Sequence, residues 1–121
     1  AGVDMFDCVL PSRNARHGRA FTFQGSLNLK NAKYASDSAP IEEGCDCLAC
    51  RGFSRSYIRH LFVAGESLAW TLVTIHNLRF FQRFMQKLAS SIKDGTVQSY
   101  RDEIRRIYPV DMAEDADGER L

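Results

Sequence analysis

Three cysteines lie within six residues, in the pattern Cys45-x-Cys47-x-x-Cys50. Nothing in the sequence indicates secretion, and in a reducing compartment such a cluster binds a metal more often than it forms disulfides. Three thiolates leave a tetrahedral zinc site one ligand short. We therefore expect zinc at this cluster, with a histidine as the fourth ligand; the alternative is a set of ordinary buried cysteines.

The chain has three histidines that could complete the site. His17 precedes the cluster, His60 follows it on one predicted helix, and His76 lies midway along a second predicted helix. Leu72 and Phe80, one turn away from His76, are apolar, so metal ligation would offset the cost of burying its imidazole. The residues alone leave His76 and His60 as alternatives. Four protein ligands leave no open position for water or substrate, so the site would be structural.

Two acids, Asp4 and Asp7, interrupt a short apolar run over residues 3–10. The run has the length of a strand buried on both faces, and a carboxylate there belongs at the rim, where parallel strands deliver functional groups. A spacing of three puts the two carboxylates on opposite faces of a strand, so they are not a catalytic pair. The alternative role for either is a helix cap or a salt bridge to Arg13 or Arg16.

Residues 11–19 predict a polar loop that carries three arginines and no acid. Charge is uneven along the chain: residues 1–109 hold 15 basic and 10 acidic side chains, whereas residues 110–121 hold one basic and five acidic ones. The basic body is compatible with a polyanionic partner, although many ordinary small domains carry such a surplus. The acidic tail has no apolar period, and we expect it to be frayed or loosely docked.

The elements that must position these residues follow from the apolar periodicity. Alternation at Phe21 and Phe23, then at Leu27 and Leu29, around a turn at 24–26 predicts a β-hairpin. A first helix is predicted from a Ser54 cap to Gly65, with an apolar face of Tyr57, Ile58, Leu61 and Phe62.

A longer helix is predicted over residues 66–94, with Gly95 as its stop, and a third over residues 98–107 before Pro109. The predicted apolar stripe of the long helix comprises Leu68, Leu72, Ile75, Leu78, Phe81, Met85, Leu88 and Ile92. At about 1.5 Å per residue the helix is longer than a small free-standing domain needs. We therefore expect it to pack against something larger.

The composition excludes several classes of protein. The 121 residues are 45% hydrophobic and 11% aromatic, which is too apolar for a disordered chain. Polar residues interrupt the longest apolar neighbourhood, at 68–92, so we expect no membrane span. No signal peptide is visible, the missing initial Met suggests an N-terminal truncation, and the cytoplasm is the expected compartment.

Four segments in this order and spacing resemble the C-terminal part of a bacterial-type tRNA-guanine transglycosylase: residues 2–16, residues 31–34, the cysteine cluster and residues 76–79. The resemblance extends from residue 2 to about residue 93. It implies an α/β fold, the C-terminal fragment of a (β/α)8 TIM barrel with an inserted zinc-binding β-hairpin and helix subdomain. Residues 1–19 would be the last barrel strand with the nucleophile and arginine loop, 20–65 the zinc subdomain, 66–109 the last barrel helix with a C-terminal helix, and 110–121 an acidic tail.

The same resemblance implies roles for particular residues. His76 would be the fourth ligand beside Cys45, Cys47 and Cys50, holding one structural Zn²⁺ per chain. Asp7 would be the catalytic nucleophile, and Asp4 would be structural. Arg13 and Arg16 would bind tRNA beside the nucleophile. The predicted dimer patch consists of Phe53, Tyr57, His60 and Leu61, with packing onto this chain's own barrel as the alternative for each residue.

The activity implied is exchange of the wobble guanine of tRNA with a GUN anticodon for the base preQ1, through a covalent ribosyl-aspartate, in queuosine biosynthesis. A homodimer is implied, and no membrane partner is expected. The general acid/base and the base-recognition residues would lie upstream of Ala1, so the 121 residues alone are expected to be inactive. The competing hypothesis is a non-catalytic zinc-binding module that binds RNA or a protein.

Overall fold

The computed structural model describes residues 10–108, which form a mostly helical α/β structure with a two-stranded sheet. The predicted strand at 3–10, apart from Leu10, and the acidic tail lie outside the described residues. The elements in chain order are α1 (Leu10–Arg16), β1 (Arg19–Thr22), β2 (Gly25–Asn28), a 3-10 turn (Ala32–Tyr34), α2 (Leu48–Gly52), α3 (Arg55–Val63), α4 (Leu68–Asp94) and α5 (Val97–Ile107).

The polar loop predicted at 11–19 is wrong for residues 11–16, because α1 occupies Leu10–Arg16. Pro11 lies in the first turn of this helix, where an N–H has no partner within the helix and the fixed φ of proline is suitable. Pro11 and Ala15 are the buried residues of α1. Gly18, at φ +84°, then turns the chain into β1, a conformation that favours glycine.

The hairpin prediction is confirmed, with β1 and β2 paired. The connection between the strands consists of Phe23 and Gln24, so the turn falls slightly earlier than the sequence predicts. Gly25 has φ +115°, which explains why a glycine opens the second strand. Leu29, just after β2, is fully buried and donates its N–H to Gly18 O at 2.8 Å.

The predicted boundaries of α3 are confirmed by both of its caps. Ser54 Oγ accepts the Tyr57 N–H at 3.1 Å. At the other end Gly65, at φ +74°, donates its N–H to Phe62 O, while the next N–H bonds to Leu61 O. This pair of bonds is a Schellman motif, which explains why the glycine ends the helix.

Helix α4 has 27 residues, begins two residues later than predicted and ends at Asp94, with Gly95 at φ +72° as the predicted stop. Its predicted apolar stripe is partly wrong, since Leu68, Leu78, Met85 and Ile92 are 41–63% exposed. The buried face instead consists of Ala69, Leu72, Val73, His76, Asn77 and Phe80. A hydrophobicity pattern misses this face because three of its members are small or polar.

The chain divides into two compact units. The first, residues 1–22 and 26–81, contains a buried core that includes Leu29, Ile41, Ile58, Leu72 and Val73. In the second, residues 23–25 and 82–121, α5 confirms the third predicted helix, and Tyr100 packs its ring 5.7 Å from that of Phe84. None of the helices in residues 10–108 is long and apolar enough to cross a membrane.

Candidate metal centre

The cysteine cluster lies where the loop after Ile41 enters α2. Cys47 is the N-cap of this short helix, and its Sγ accepts the Cys50 N–H at 3.3 Å, which fixes the two thiols on the same side of the turn. Cys45 and Cys47 are buried and Cys50 is half-buried. The cap explains the Cys-x-x-Cys spacing: a residue at the cap and one three positions later necessarily face each other.

His76 of α4 meets the three thiols. Its Nδ1 lies 3.6 Å from Cys45 Sγ, 3.7 Å from Cys47 Sγ and 3.3 Å from Cys50 Sγ. All four ligand atoms lie within 4.8 Å of one another. Around a tetrahedral zinc ion, usual bond lengths of about 2.3 Å to sulfur and 2.0 Å to nitrogen separate these two ligand types by about 3.5 Å. The four residues therefore fit a zinc ion in both atom type and spacing.

The other ring nitrogen of His76 sets its tautomer. Nε2 lies 2.7 Å from Phe21 O, a carbonyl that can only accept, so Nε2 carries the proton. Nδ1 consequently presents its lone pair to the sulfurs, as a neutral metal ligand must. The buried carboxylate of Glu42 lies 3.9 Å from the same Nε2. His60 and His17 are exposed, and neither joins a ligand cluster in residues 10–108.

The three thiols differ in acidity. The pKa of Cys47 falls to about 4 because the Cys50 thiol donates to its sulfur, with a further hydrogen bond from the Cys50 N–H. Burial raises the pKa of Cys45, and donation to Cys47 together with burial raises that of Cys50. The protein groups therefore favour one thiolate, and a cation bound among the sulfurs would favour ionisation of the other two thiols.

Two further sets of side-chain contacts hold the segments that carry the metal ligands in position. Neither was predicted from the sequence. Asp46 lies between two of the cysteines, and its carboxylate accepts from Arg79 Nε at 2.7 Å and Nη2 at 3.2 Å. Arg79 follows His76 by one helical turn, so this bidentate pair links the cysteine loop to α4. The pKa of Arg79 is raised by its hydrogen bonds to Asp46, with a smaller contribution from the thiols.

Arg55 fixes the loop that leads into the cluster. It donates to Pro40 O at 2.9 Å, to Ile41 O at 3.1 Å and to Asp37 Oδ2 at 3.1 Å. The backbone N–H of Ala39 bonds to Asp37, and this bond, with the guanidinium, lowers the pKa of the Asp37 carboxyl. An arginine at the start of a helix gives no signal in sequence that it holds a loop.

Asn77 follows His76 and is fully buried. Its Nδ2 donates to Pro11 O at 3.1 Å and to Arg19 O at 3.0 Å, while its Oδ1 accepts the Phe21 N–H at 3.0 Å. One side chain thus ties α4 to the first turn of α1 and to β1. The sequence analysis placed Asn77 in the segment 76–79 that resembles the family but predicted no role for it. A polar residue next to His76 on a helix with an apolar face could have indicated one.

The remaining predicted site residues are distributed as follows. Asp7 lies outside the described residues. Arg13 and Arg16 are exposed on α1, rather than on a loop. In the predicted dimer patch, the rings of Phe53 and Tyr57 stack at 5.6 Å with planes 20° apart, Tyr57 and His60 are exposed, and Leu61 is buried in the core.

Together the fold and the four converging side chains define a small α/β domain with a closed Cys3His site that could hold one metal ion. The family model described as Queuine tRNA-ribosyltransferase matches residues 1–110, so the chain belongs to that family.

Curated relatives that share this name support the assignment. The protein of Solidesulfovibrio magneticus is 51% identical over 109 residues, which cover 90% of this chain and 29% of the relative. That of Symbiobacterium thermophilum is 55% identical over 100 residues, covering 83% of this chain and 25% of the relative. The chain therefore spans less than a third of the length of these relatives.

Proposed function

We propose that this chain is the C-terminal part of a tRNA-guanine transglycosylase that exchanges the wobble guanine of tRNA for preQ1. The family match over residues 1–110 carries this proposal. The relatives named queuine tRNA-ribosyltransferase are about 50% identical over nearly all of this chain. In the complete protein, the last strand of a (β/α)8 barrel would correspond to residues 3–9, since Leu10 belongs to α1, and the last helix would correspond to α4.

Asp7 is the proposed nucleophile. Its carboxylate attacks C1′ of the target ribose, so a C–O bond forms while the bond to guanine N9 breaks, and the leaving guanine takes a proton from a general acid supplied upstream. The ribosyl ester is then opened by preQ1, whose ring nitrogen forms the new bond to C1′ and returns its proton to the same group. Neither step breaks the phosphodiester chain.

The arginines of α1 support binding of the polyanionic substrate. Arg13 and Arg16 are exposed on the helix that begins three residues after Asp7. Guanidinium groups there would bond to phosphates or bases flanking the target nucleotide, which must be unstacked before its C1′ is reached. The proposed tRNA therefore contacts the segment that carries the nucleophile and the helix that follows it.

A structural Zn²⁺, one per chain, is proposed at Cys45, Cys47, Cys50 and His76. When bound, the ion supplies cross-linking and neutralises thiolate charge; with four protein ligands it takes no part in the exchange. Its position supports a stabilising role, since the site joins the loop before α2 to the middle of α4. The tRNA substrate and the reduced thiols favour the cytoplasm as compartment.

A homodimer is proposed through the aromatic surface of α3. Phe53, Tyr57 and His60 reach the surface, and the stacked ring pair offers a rigid apolar contact of the kind enriched at interfaces. Leu61 lies in the core, so it would support the exposed residues of the patch and would not itself contact the partner subunit. Tyr57→Ala in the full-length protein should shift sedimentation toward monomer, whereas the exposed Arg51→Ala should not.

The test of the activity uses the full-length protein that contains this chain, tRNA with a GUN anticodon and isotopically labelled preQ1. Label should enter the tRNA, and trapping with a base analogue should give a denaturation-resistant adduct of protein and RNA. Asp7→Asn should abolish both signals, whereas Asp4→Asn, the matched change in the same segment, should retain the adduct. An adduct that survives Asp7→Asn refutes the nucleophile, and no incorporation by the unaltered protein refutes the activity.

A further inference from the structure

A buried carboxylate adjoins the metal centre without being one of its four ligands. Glu42 is 8% exposed, and its Oε1 lies 3.9 Å from Nε2 of His76. This distance is too long for a hydrogen bond, and Nε2 already donates to Phe21 O at 2.7 Å. The His76 ring therefore has one nitrogen toward the three thiols and its other, protonated nitrogen beside a carboxylate.

The backbone of Glu42 contacts two of the cysteines. Its N–H is hydrogen-bonded to the Cys50 sulfur, and its carbonyl accepts the Cys45 N–H at 3.3 Å. The other two sulfurs receive an N–H from within the cluster, Cys45 from Cys47 and Cys47 from Cys50. Each sulfur thus accepts one backbone N–H, and Glu42 supplies the one that does not come from a ligand residue.

The segment that leads to Glu42 is also held in place. Ile41 is fully buried, and its carbonyl accepts from Arg55 Nη2 at 3.1 Å. Arg55 Nε donates to Pro40 O at 2.9 Å. Because the backbone is fixed before and after Glu42, its carboxylate does not have to be brought to the imidazole when a metal ion binds. A group that is already in position acts without an ordering cost.

We propose that Glu42 is a positioning residue of the metal centre: its carboxylate stabilises the metal-bound form of the His76 imidazole and thereby slows loss of the ion. A cation at Nδ1 withdraws electron density from the ring and makes the Nε2–H more positive. A carboxylate beside Nε2 therefore favours the metal-bound ring over the free ring. The inference rests on the proposed zinc site and gives a role to a residue that does not itself bind the ion.

The side chain of Glu42 can be tested without altering its backbone contacts. The test uses the full-length protein that contains this chain, loaded with zinc. Glu42→Gln keeps the shape of the side chain and removes its charge, while the N–H and carbonyl of residue 42 remain. Glu43→Gln is the matched control, because it removes the same charge from an exposed adjacent residue. Circular dichroism verifies that each variant is folded.

Glu42→Gln should lower the zinc affinity about tenfold, at the lower end of the range for residues that support a metal ligand, and Glu43→Gln should leave it unchanged. Competition with a chromophoric chelator measures the affinity, and the rate of zinc transfer to excess chelator should rise by a similar factor. Glu42→Asp, which keeps the charge and withdraws it by one methylene, should retain more affinity than Glu42→Gln. In the cobalt-substituted protein, the thiolate-to-metal absorption should keep its intensity in Glu42→Gln, since no ligand is lost.

A double-mutant cycle distinguishes action through the imidazole from general support of the fold. In a His76→Ala background, Glu42→Gln should cause no further loss of zinc affinity, because the ring through which the carboxylate acts is gone. A tenfold loss in both backgrounds would show that the carboxylate acts independently of His76, and would refute the inference.

Two other results would overturn the role of Glu42. The first is equal zinc affinity of Glu42→Gln and Glu43→Gln, which would leave the metal site standing. The second is a loss of the thiolate absorption in Glu42→Gln, which would mean that the substitution displaces a ligand. An unaltered protein that binds no zinc would refute the proposed metal site and the role of Glu42 with it, whereas incorporation of labelled preQ1 tests the exchange activity separately.

Discussion

Substitution of Asn77 tests most directly how α4, the helix that carries His76, holds α1 and β1 in place. The substitution Asn77→Ala removes three hydrogen bonds of 3.0–3.1 Å from a fully buried position. Its main consequence is that the N–H of half-buried Phe21 loses its acceptor. The Pro11 and Arg19 carbonyls each lose a donor as well.

The magnitude follows from those contacts. An unsatisfied N–H costs about 1–3 kcal/mol when it is buried, and the half-buried Phe21 N–H belongs at the lower end of that range. Each of the two lost amide donations adds about 1 kcal/mol, so the free energy of unfolding should fall by about 3 kcal/mol. Domains of ordinary stability unfold with about 5–15 kcal/mol, so the variant should be close to its folding limit. Asn77→Asp should not rescue it, because a carboxylate would face two carbonyl oxygens.

The assay is urea unfolding of the zinc-loaded chain, followed by circular dichroism, together with hydrogen exchange of the amides in α1 and β1. Asn31→Ala is the matched control, since the side chain of Asn31 caps an exposed turn with one bond of 3.0 Å to the Lys33 N–H. It should cost about 1 kcal/mol. A loss at Asn77 no greater than that at Asn31, or unchanged exchange in α1, would refute the reasoning.

Three other predictions follow from the same unit. Chelation of zinc should unfold part of the helix, and His76→Ala should lower zinc affinity at least tenfold while the exposed His60→Ala leaves it unchanged, as measured by competition with a chromophoric chelator. The lowered pKa of Asp37 means that its stabilising contribution is present above the ordinary value of 3.8 and is lost as the pH falls through the lowered value. Asp37→Asn should therefore reduce the urea midpoint at pH 6 and should leave it unchanged below the lowered pKa, where the carboxyl is protonated. An equal reduction at both pH values would show that the ionised carboxylate is not what stabilises the fold. Gly18→Ala should cost more than Gly44→Ala in the same unfolding assay: both positions have φ near +84°, but a Cβ at Gly18 would lie 3.0 Å from Lys30 Cγ, whereas nothing lies within 4 Å at Gly44. Equal losses would show that backbone strain alone decides the cost.

Local chemistry explains which elements the sequence predicts well. Ser54, Gly65 and Gly95 mark helix ends because a side-chain acceptor and a positive φ act within a few residues of the boundary. The three cysteines are likewise predictable as a cluster, because their spacing brings them onto one turn. For these features the sequence neighbours are also the spatial neighbours.

Long-range contacts explain what the sequence could not predict. Residues 10–16 have the composition of a loop, yet they form α1, with Pro11 and Ala15 buried. The buried face of α4 includes His76 and Asn77, which periodicity scores as polar. Both features depend on partners 55 to 66 positions away along the chain, and no local pattern records them.

The adjacency of His76 and Asn77 couples the metal site to α1. Consecutive residues on a helix point about 100° apart, so one turn of α4 presents an imidazole to the thiols and an amide to α1 and β1. Phe21 receives both contacts, since its carbonyl accepts from His76 and its N–H bonds to Asn77. A ligand that fixes the imidazole therefore also fixes the residue through which Asn77 holds β1, and the stability of α1 should depend on metal even though none of its own residues is a ligand.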